Sequence, residues 1–152
     1  MKTKTSVVTL AIVLLLSTMF ITPQTAFANR FTDQVRSQLR AIALLLGIDK
    51  DYELTHDPYV GKLEDDEATR LTLKLYRRNS YVIAGVCDED CRDMDIELYD
   101  DDGNRVDFDM KSDDKPVVRV TPAWTAKFTL KISMPSCRRG VYCYYGIGVF
   151  GQ

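Results

Sequence analysis

The chain has 152 residues, 45% of them hydrophobic and 28% charged, with a formal net charge of −2 and four cysteines. This is enough for one domain with a real core and too little for two comfortable ones, and the acidic balance argues against nucleic acid as a partner. With one histidine and no Gly-x-Ser-x-Gly, His-Glu-x-x-His or phosphate-binding glycine loop, the common hydrolase and nucleotide signatures are unmet.

Residues 1–28 read as an export signal. Lys2 and Lys4 precede an apolar run of 15 residues, Val7 to Ile21, and Ala26-Phe27-Ala28 is a small-x-small cleavage site. The run is shorter than the roughly 20 residues of a spanning helix and Pro23 interrupts it, so no membrane span is expected after signal removal. The mature chain, from Asn29, is expected to be secreted or periplasmic. An even cysteine count in such an oxidising compartment implies two disulfides among Cys87, Cys91, Cys137 and Cys143. Three connectivities are possible. Local pairing, Cys87 with Cys91 and Cys137 with Cys143, is favoured because it closes short loops, although crossed pairs would add more stability. The C-x3-C and C-x5-C spacings miss the usual zinc knuckle.

In residues 29–60, Phe31, Val35, Leu39, Ile42 and Leu46 recur at helical spacing, with Thr32 as a possible N-cap and Gly47 as a stop. The expected element is a short amphipathic helix whose polar face carries Arg36, Gln38 and Arg40. Two arginines are a thin polar face for lipid, so packing on the domain or a short arm is preferred. Residues 48–62 read as a polar connector, with His56 an ordinary surface residue.

Beyond it the period becomes two. Leu71, Leu73 and Leu75 alternate with polar neighbours, residues 81–86 are apolar on both faces, and Met94, Ile96 and Leu98 alternate with Asp95, Glu97 and Tyr99. Asp102-Gly103-Asn104 is a hairpin signal leading to Val106, Phe108 and Met110, which alternate with Asp107 and Asp109. Residues 117–121, Phe128-x-Leu130-x-Ile132 and a last strand near residues 141–150 complete about seven short strands. Gly146 and Gly148 in the last strand allow close backbone approach. The near-regular spacing indicates a β-sandwich. Residues 87–115 carry 13 acidic groups against 4 basic ones, whereas residues 116–152 carry 5 basic and no acidic groups. The acidic middle and the basic end are therefore expected to face one another.

Residues 61–152 resemble the bacterial pre-peptidase C-terminal domain. The matching stretches are Gly61-x-Leu63, the acidic run ending at Asp66-Glu67, Ser80-Tyr81-Val82-Ile83, Asp93-x-Asp95-Ile96-x-Leu98-Tyr99-Asp100 with Gly103, and Ala126 to Ile132. The resemblance implies a jelly-roll-like β-sandwich with a non-catalytic role in binding, secretion or stabilisation, and calcium in some members. Ala126 stands where a glycine is common, no protease domain precedes the module, and the cysteine pairs are additional. Gly85-Val86-Cys87-Asp88-Glu89-Asp90-Cys91 and the late Cys137…Cys143-Tyr144-Tyr145-Gly146 are similar to small uncharacterised exported bacterial proteins, a likeness that supplies no activity.

Calcium takes six to eight oxygen ligands. Asp88, Asp90, Asp93 and Asp95 are the candidates beside the first cysteine pair, with Asp65 and Asp66 joining if the family geometry holds. An EF-hand is absent, since with Gly103 at its sixth position the first is Leu98 and the twelfth Asp109. The competing reading is a solvated acidic face that guards strand edges. Trp124, Tyr142, Tyr144 and Tyr145 form either a binding platform for sugar or protein or part of the core. Paired carboxylates could hydrolyse glycosides, but acids placed on turns offer no evident cleft. The expectation is an exported, non-catalytic binding or structural module, calcium-stabilised in its sharpest form, whose partner is a protein or polysaccharide of the envelope or exterior. The alternatives are an accessory or inhibitor-like partner of a secreted enzyme and, last, a small hydrolase.

Overall fold

The computed structural model describes residues 24–45, 52–138 and 142–152. The expected signal core therefore lies outside the described residues. By its internal contacts the chain divides into Met1–Phe31 and Thr32–Gln152. Of the first unit, the described part is the helical run from Gln24 to Phe31. Among the described residues one helix, α1, spans Gln24–Leu45, so Thr32 lies within it and is not its cap.

Nine strands follow among the described residues: β1 (Glu53–Leu54), β2 (Tyr59–Leu63), β3 (Glu67–Leu75), β4 (Tyr81–Cys87), β5 (Cys91–Tyr99), β6 (Arg105–Asp109), β7 (Val117–Val120), β8 (Ala126–Cys137) and β9 (Cys143–Gly151). They form two antiparallel sheets. In one, β1 and β2 both pair with the same side of β9, followed by β4 and β7; the other has the order β3-β8-β5-β6. Strands β2 to β9 thus lie in the orders 2-9-4-7 and 3-8-5-6, the arrangement of a jelly roll, with successive strands changing sheet except at the β5–β6 hairpin. The fold class matches the sequence expectation. The strands beyond the expected seven, β1 and β2, fall in the stretch read as connector; they are short and pair only with β9.

The core lies between the sheets. Leu73, Leu75, Met94, Ile96, Leu98 and Ile132 point inward from the four-stranded sheet, against Tyr81, Ile83, Ile147 and Val149 from the other. Each such side chain contributes about 1.5–3 kcal/mol by leaving water. β4 is buried at all seven positions, the mark of a central strand covered on both faces. Its second cover is α1. Val35, Leu39 and Ile42 are buried, and a Cβ on Gly146 would collide with Val35, while one on Gly148 would lie 3.1 Å from Leu39. The close approach foreseen at these two glycines is where the helix seats.

β6 turns over the expected alternation. Val106, Phe108 and Met110 are exposed, whereas Asp109 is only 8% exposed. The cause is the neighbouring edge. The Val117 N–H donates to Asp109 Oδ2 at 3.0 Å and the Arg119 N–H to Asp107 Oδ2 at 2.7 Å, so two carboxylates replace a missing strand along β7.

Candidate functional site

The acidic stretch and both disulfides meet at one end of the sandwich. Cys87–Cys91 and Cys137–Cys143 are the bridges, as the local pairing expected. They are local in sequence but not in space: each ties a strand of one sheet to a strand of the other, and Cys91 stands opposite Cys137. Both sheet-to-sheet corners are thereby clamped side by side.

Of the six carboxylates read as ion ligands, two accept backbone N–H groups and one pairs with an arginine. The Cys137 N–H donates to Asp65 Oδ1 at 2.7 Å. Asp66 occupies the turn with φ 61° and donates its N–H to the Met134 carbonyl. Asp88 accepts from the Asp90 N–H at 3.3 Å and from the Tyr144 N–H at 3.1 Å. Asp90 pairs with Arg138 at 3.0 Å, tying one disulfide loop to the other. Asp93 keeps one oxygen, Oδ1, without a hydrogen-bond partner, and burial together with the Asp113 charge raises its pKa. Burial and the charges of Asp93, Glu97 and Asp109 raise that of Asp95. Among the described residues no group of three or more His, Cys, Asp or Glu side chains converges as a metal site.

The four aromatics do not form one platform. Tyr145 is 1% exposed and stacks with Tyr59 at 6.0 Å, burial raising its phenol pKa. Tyr142 and Tyr144 are exposed at the disulfide end, where Lys62 lies 3.9 Å from the Tyr142 ring centre. Trp124 stands between β7 and β8 at the opposite end. It is 53% exposed, and its indole N–H donates to Asp101 Oδ1 at 3.3 Å.

The most ordered polar surface is the outer face of the four-stranded sheet. Here β3 presents Arg70, Thr72 and Lys74, and the antiparallel β8 sets Lys131, Thr129 and Lys127 directly opposite them. The result is a ladder of three rungs: cation on cation, threonine on threonine, cation on cation. Same-face rungs lie about 6.6 Å apart along a strand and neighbouring strands about 4.8 Å apart. Directly opposed like charges destabilise a sheet. One of the four cations is neutralised: Lys131 bonds Glu97 Oε1 at 2.7 Å, and Glu97 also takes Arg105 at 2.9 Å and the Tyr99 hydroxyl at 2.8 Å. These three donors hold the Glu97 carboxyl down at about 2, Lys131 contributing most. Arg70, Lys74 and Lys127 have no carboxylate within ion-pair distance among the described residues.

A groove of about 680 Å³ runs over this face, lined by Arg70, Thr72, Lys127, Thr129 and Tyr99 and rimmed by Asp100, Asp101 and Gly103. The rim is the β5–β6 hairpin that Asp102-Gly103-Asn104 foretold. Asp100 caps it by accepting the Asn104 N–H at 2.8 Å and the Asp102 N–H at 3.1 Å, with Gly103 at φ 84°. The expected meeting of acidic middle and basic end is realised through Glu97–Lys131 and Asp90–Arg138. The groove residues Arg70, Thr72, Lys127 and Thr129 were not singled out by sequence reasoning. A signal existed: Arg70-Leu71-Thr72-Leu73-Lys74 and Lys127-Phe128-Thr129-Leu130-Lys131 repeat one cation-x-Thr-x-cation pattern.

No protein-family model matches this chain, and no curated protein matches it by sequence. Among solved structures it is similar to PliG of Aeromonas hydrophila, a periplasmic inhibitor of g-type lysozyme, at 11% identity and TM-score 0.48, over 62% of this chain and 84% of that one. It is also similar to the pre-peptidase C-terminal domain of a Bacillus anthracis collagenase, at 11% identity and TM-score 0.46, over 60% and 86%. The second belongs to the family that the sequence motifs resemble. Likeness at this level identifies neither a ligand nor an activity.

Proposed function

We propose that this protein is an exported, non-catalytic binding module that recognises anionic ligands through the outer face of its four-stranded sheet. The observation that carries the reading is the cationic ladder. Arg70 faces Lys131 and Lys74 faces Lys127 at register positions where opposed charges cost stability, and three of the four lack a carboxylate partner. A chain of net negative charge has acids to spare for neutralising them. Instead its carboxylates cap turns and strand edges elsewhere, leaving a positive strip whose charge is relieved when an anion binds. The two disulfides fit an oxidising compartment outside the cytosol.

The test is retention of the oxidised protein on an anionic matrix at low ionic strength, compared with the variant carrying Arg70→Gln, Lys74→Gln and Lys127→Gln. Retention of the wild type is expected to fall with added salt, since exposed charges are screened within about 10 Å at 0.1 M. The variant is expected to elute in the void while unfolding at the same denaturant concentration or slightly above, because opposed like charges have been removed. Equal retention of both proteins would sink the assignment of this face.

A further inference from the structure

The chemistry of the groove narrows the ligand, on the premise that this face binds anions. Its floor is not uniformly basic. Between the two cationic rungs lies a row of hydroxyls, Thr72, Thr129 and Tyr99, which the register aligns across three strands. No purely apolar side chain lines the groove, so a protein segment would find no anchoring pocket of the kind that dominates protein interfaces. The rim carries Asp100 and Asp101, and the backbone of duplex DNA carries no hydroxyls to meet the row between the rungs. The ligand implied has carboxylates spaced along a backbone rich in hydroxyls. At the Lys127 end stands Trp124, its exposed ring held in one orientation by the bond to Asp101, which itself lines the groove. A ring so fixed is ready to stack on the flat, apolar face of a ligand ring with little further loss of side-chain entropy.

We propose that the groove takes a linear acidic polysaccharide, with Arg70 and Lys127 in the groove and Lys74 beside it on the same face pairing to its carboxylates, Thr72, Thr129 and Tyr99 meeting its hydroxyls, and Trp124, at the rim, stacking on a sugar ring. Trp124 is the only tryptophan in the chain, so it reports on its own contact. The experiment titrates the oxidised protein with polygalacturonate, with polyglutamate of matched charge and with duplex DNA, following tryptophan emission and, for variants, heat of binding. Polygalacturonate is expected to quench Trp124 and to bind at least tenfold tighter than the other two. Trp124→Ala is expected to weaken polygalacturonate about tenfold, the equivalent of about 1.4 kcal/mol, and to leave polyglutamate unchanged. Trp124→Phe, which keeps a ring, is expected to restore most of the loss and guards against a folding defect in the alanine variant. Polyglutamate or DNA binding as tightly as polygalacturonate, or indifference to Trp124→Ala, would overturn the polysaccharide assignment and leave the anion-binding face standing. Failure of every polyanion to bind would overturn both.

Discussion

The two sheets of this sandwich do the same work inward and opposite work outward. The outer face of the five-stranded sheet is apolar, with Val82, Ala84, Val86 and Phe150 buried and Gly146 and Gly148 bare, and the helix lies on it. The outer face of the four-stranded sheet is a ladder of cations and threonines on which no described element lies. One face holds a layer of its own chain, and the other holds none among the described residues. The binding face proposed above is therefore separate from the covered one, and each can be perturbed without touching the other.

The largest effect is expected on the covered face. Gly146→Leu would drive a side chain into the space that Val35 fills, and overpacking of this kind costs about 1–3 kcal/mol. Urea unfolding is expected to register that loss, while the folded variant keeps its affinity for polygalacturonate, because the ladder lies on the other sheet. Unchanged stability would mean that the helix does not seat on β9. Reduced affinity would break the separation of the two faces.

A second effect couples the bare face to pH. Glu97 has its carboxyl lowered from 4.5 to about 2, chiefly by Lys131, then by Arg105 and Tyr99. A carboxyl depressed in the fold contributes stability above its unfolded value, and that stability is lost as pH falls from about 4.5 towards 2. Asp93 and Asp95 run the other way: burial and neighbouring acids raise them, so their protonation eases the fold. Glu97→Gln is expected to cost about 1–2 kcal/mol at pH 7, allowing for solvent screening, with the difference from wild type closing by pH 2 to 3 in urea unfolding. The same change frees Lys131 and Arg105, so affinity for polyanions is expected to rise at pH 7. A gap constant with pH would remove Glu97 from this role.

The sequence made the sandwich legible because the period-two runs 71–75, 94–98 and 128–132 are the inward faces, and residues 81–86, apolar on both sides, name the central strand. The Asp-Gly-Asn hairpin and the close approach at Gly146 and Gly148 were readable for the same local reasons. What misled was non-local. The apolar set of β6 points outward because Asp107 and Asp109 are drawn to the open edge of β7, a strand that β6 does not pair with, and no pattern within β6 records that. The short strands β1 and β2 were hidden because their pairing is dictated by β9, some 90 residues away in register. The candidate site was half visible. Its repeated cation-x-Thr-x-cation pattern lies in plain sequence, but only the antiparallel register turns two such strands into facing rungs. The density of aspartates beside the cysteines is the louder signal, and density does not distinguish a carboxylate aimed at an ion from one already bonded to a backbone N–H.

The smallest effect is expected from calcium, and it bears on the disulfide end. A ligand at a hundred times its dissociation constant adds roughly 2.7 kcal/mol to the native state, a shift of several degrees for a domain of this size. Asp65, Asp88 and Asp90 are bonded to the Cys137 N–H, to the Tyr144 and Asp90 N–H groups, and to Arg138, so recruiting them would break contacts that tie the two clamped loops together. Asp93 and Asp95, which burial and neighbouring acids raise, would gain from a cation, but no third His, Cys, Asp or Glu side chain converges with them as a metal site among the described residues. Thermal unfolding in EDTA, calcium and magnesium is therefore expected to give one melting temperature. A selective calcium shift abolished by Asp93→Asn with Asp95→Asn would show that these loops rearrange around an ion, and would make the clamped end a second functional region rather than a structural closure.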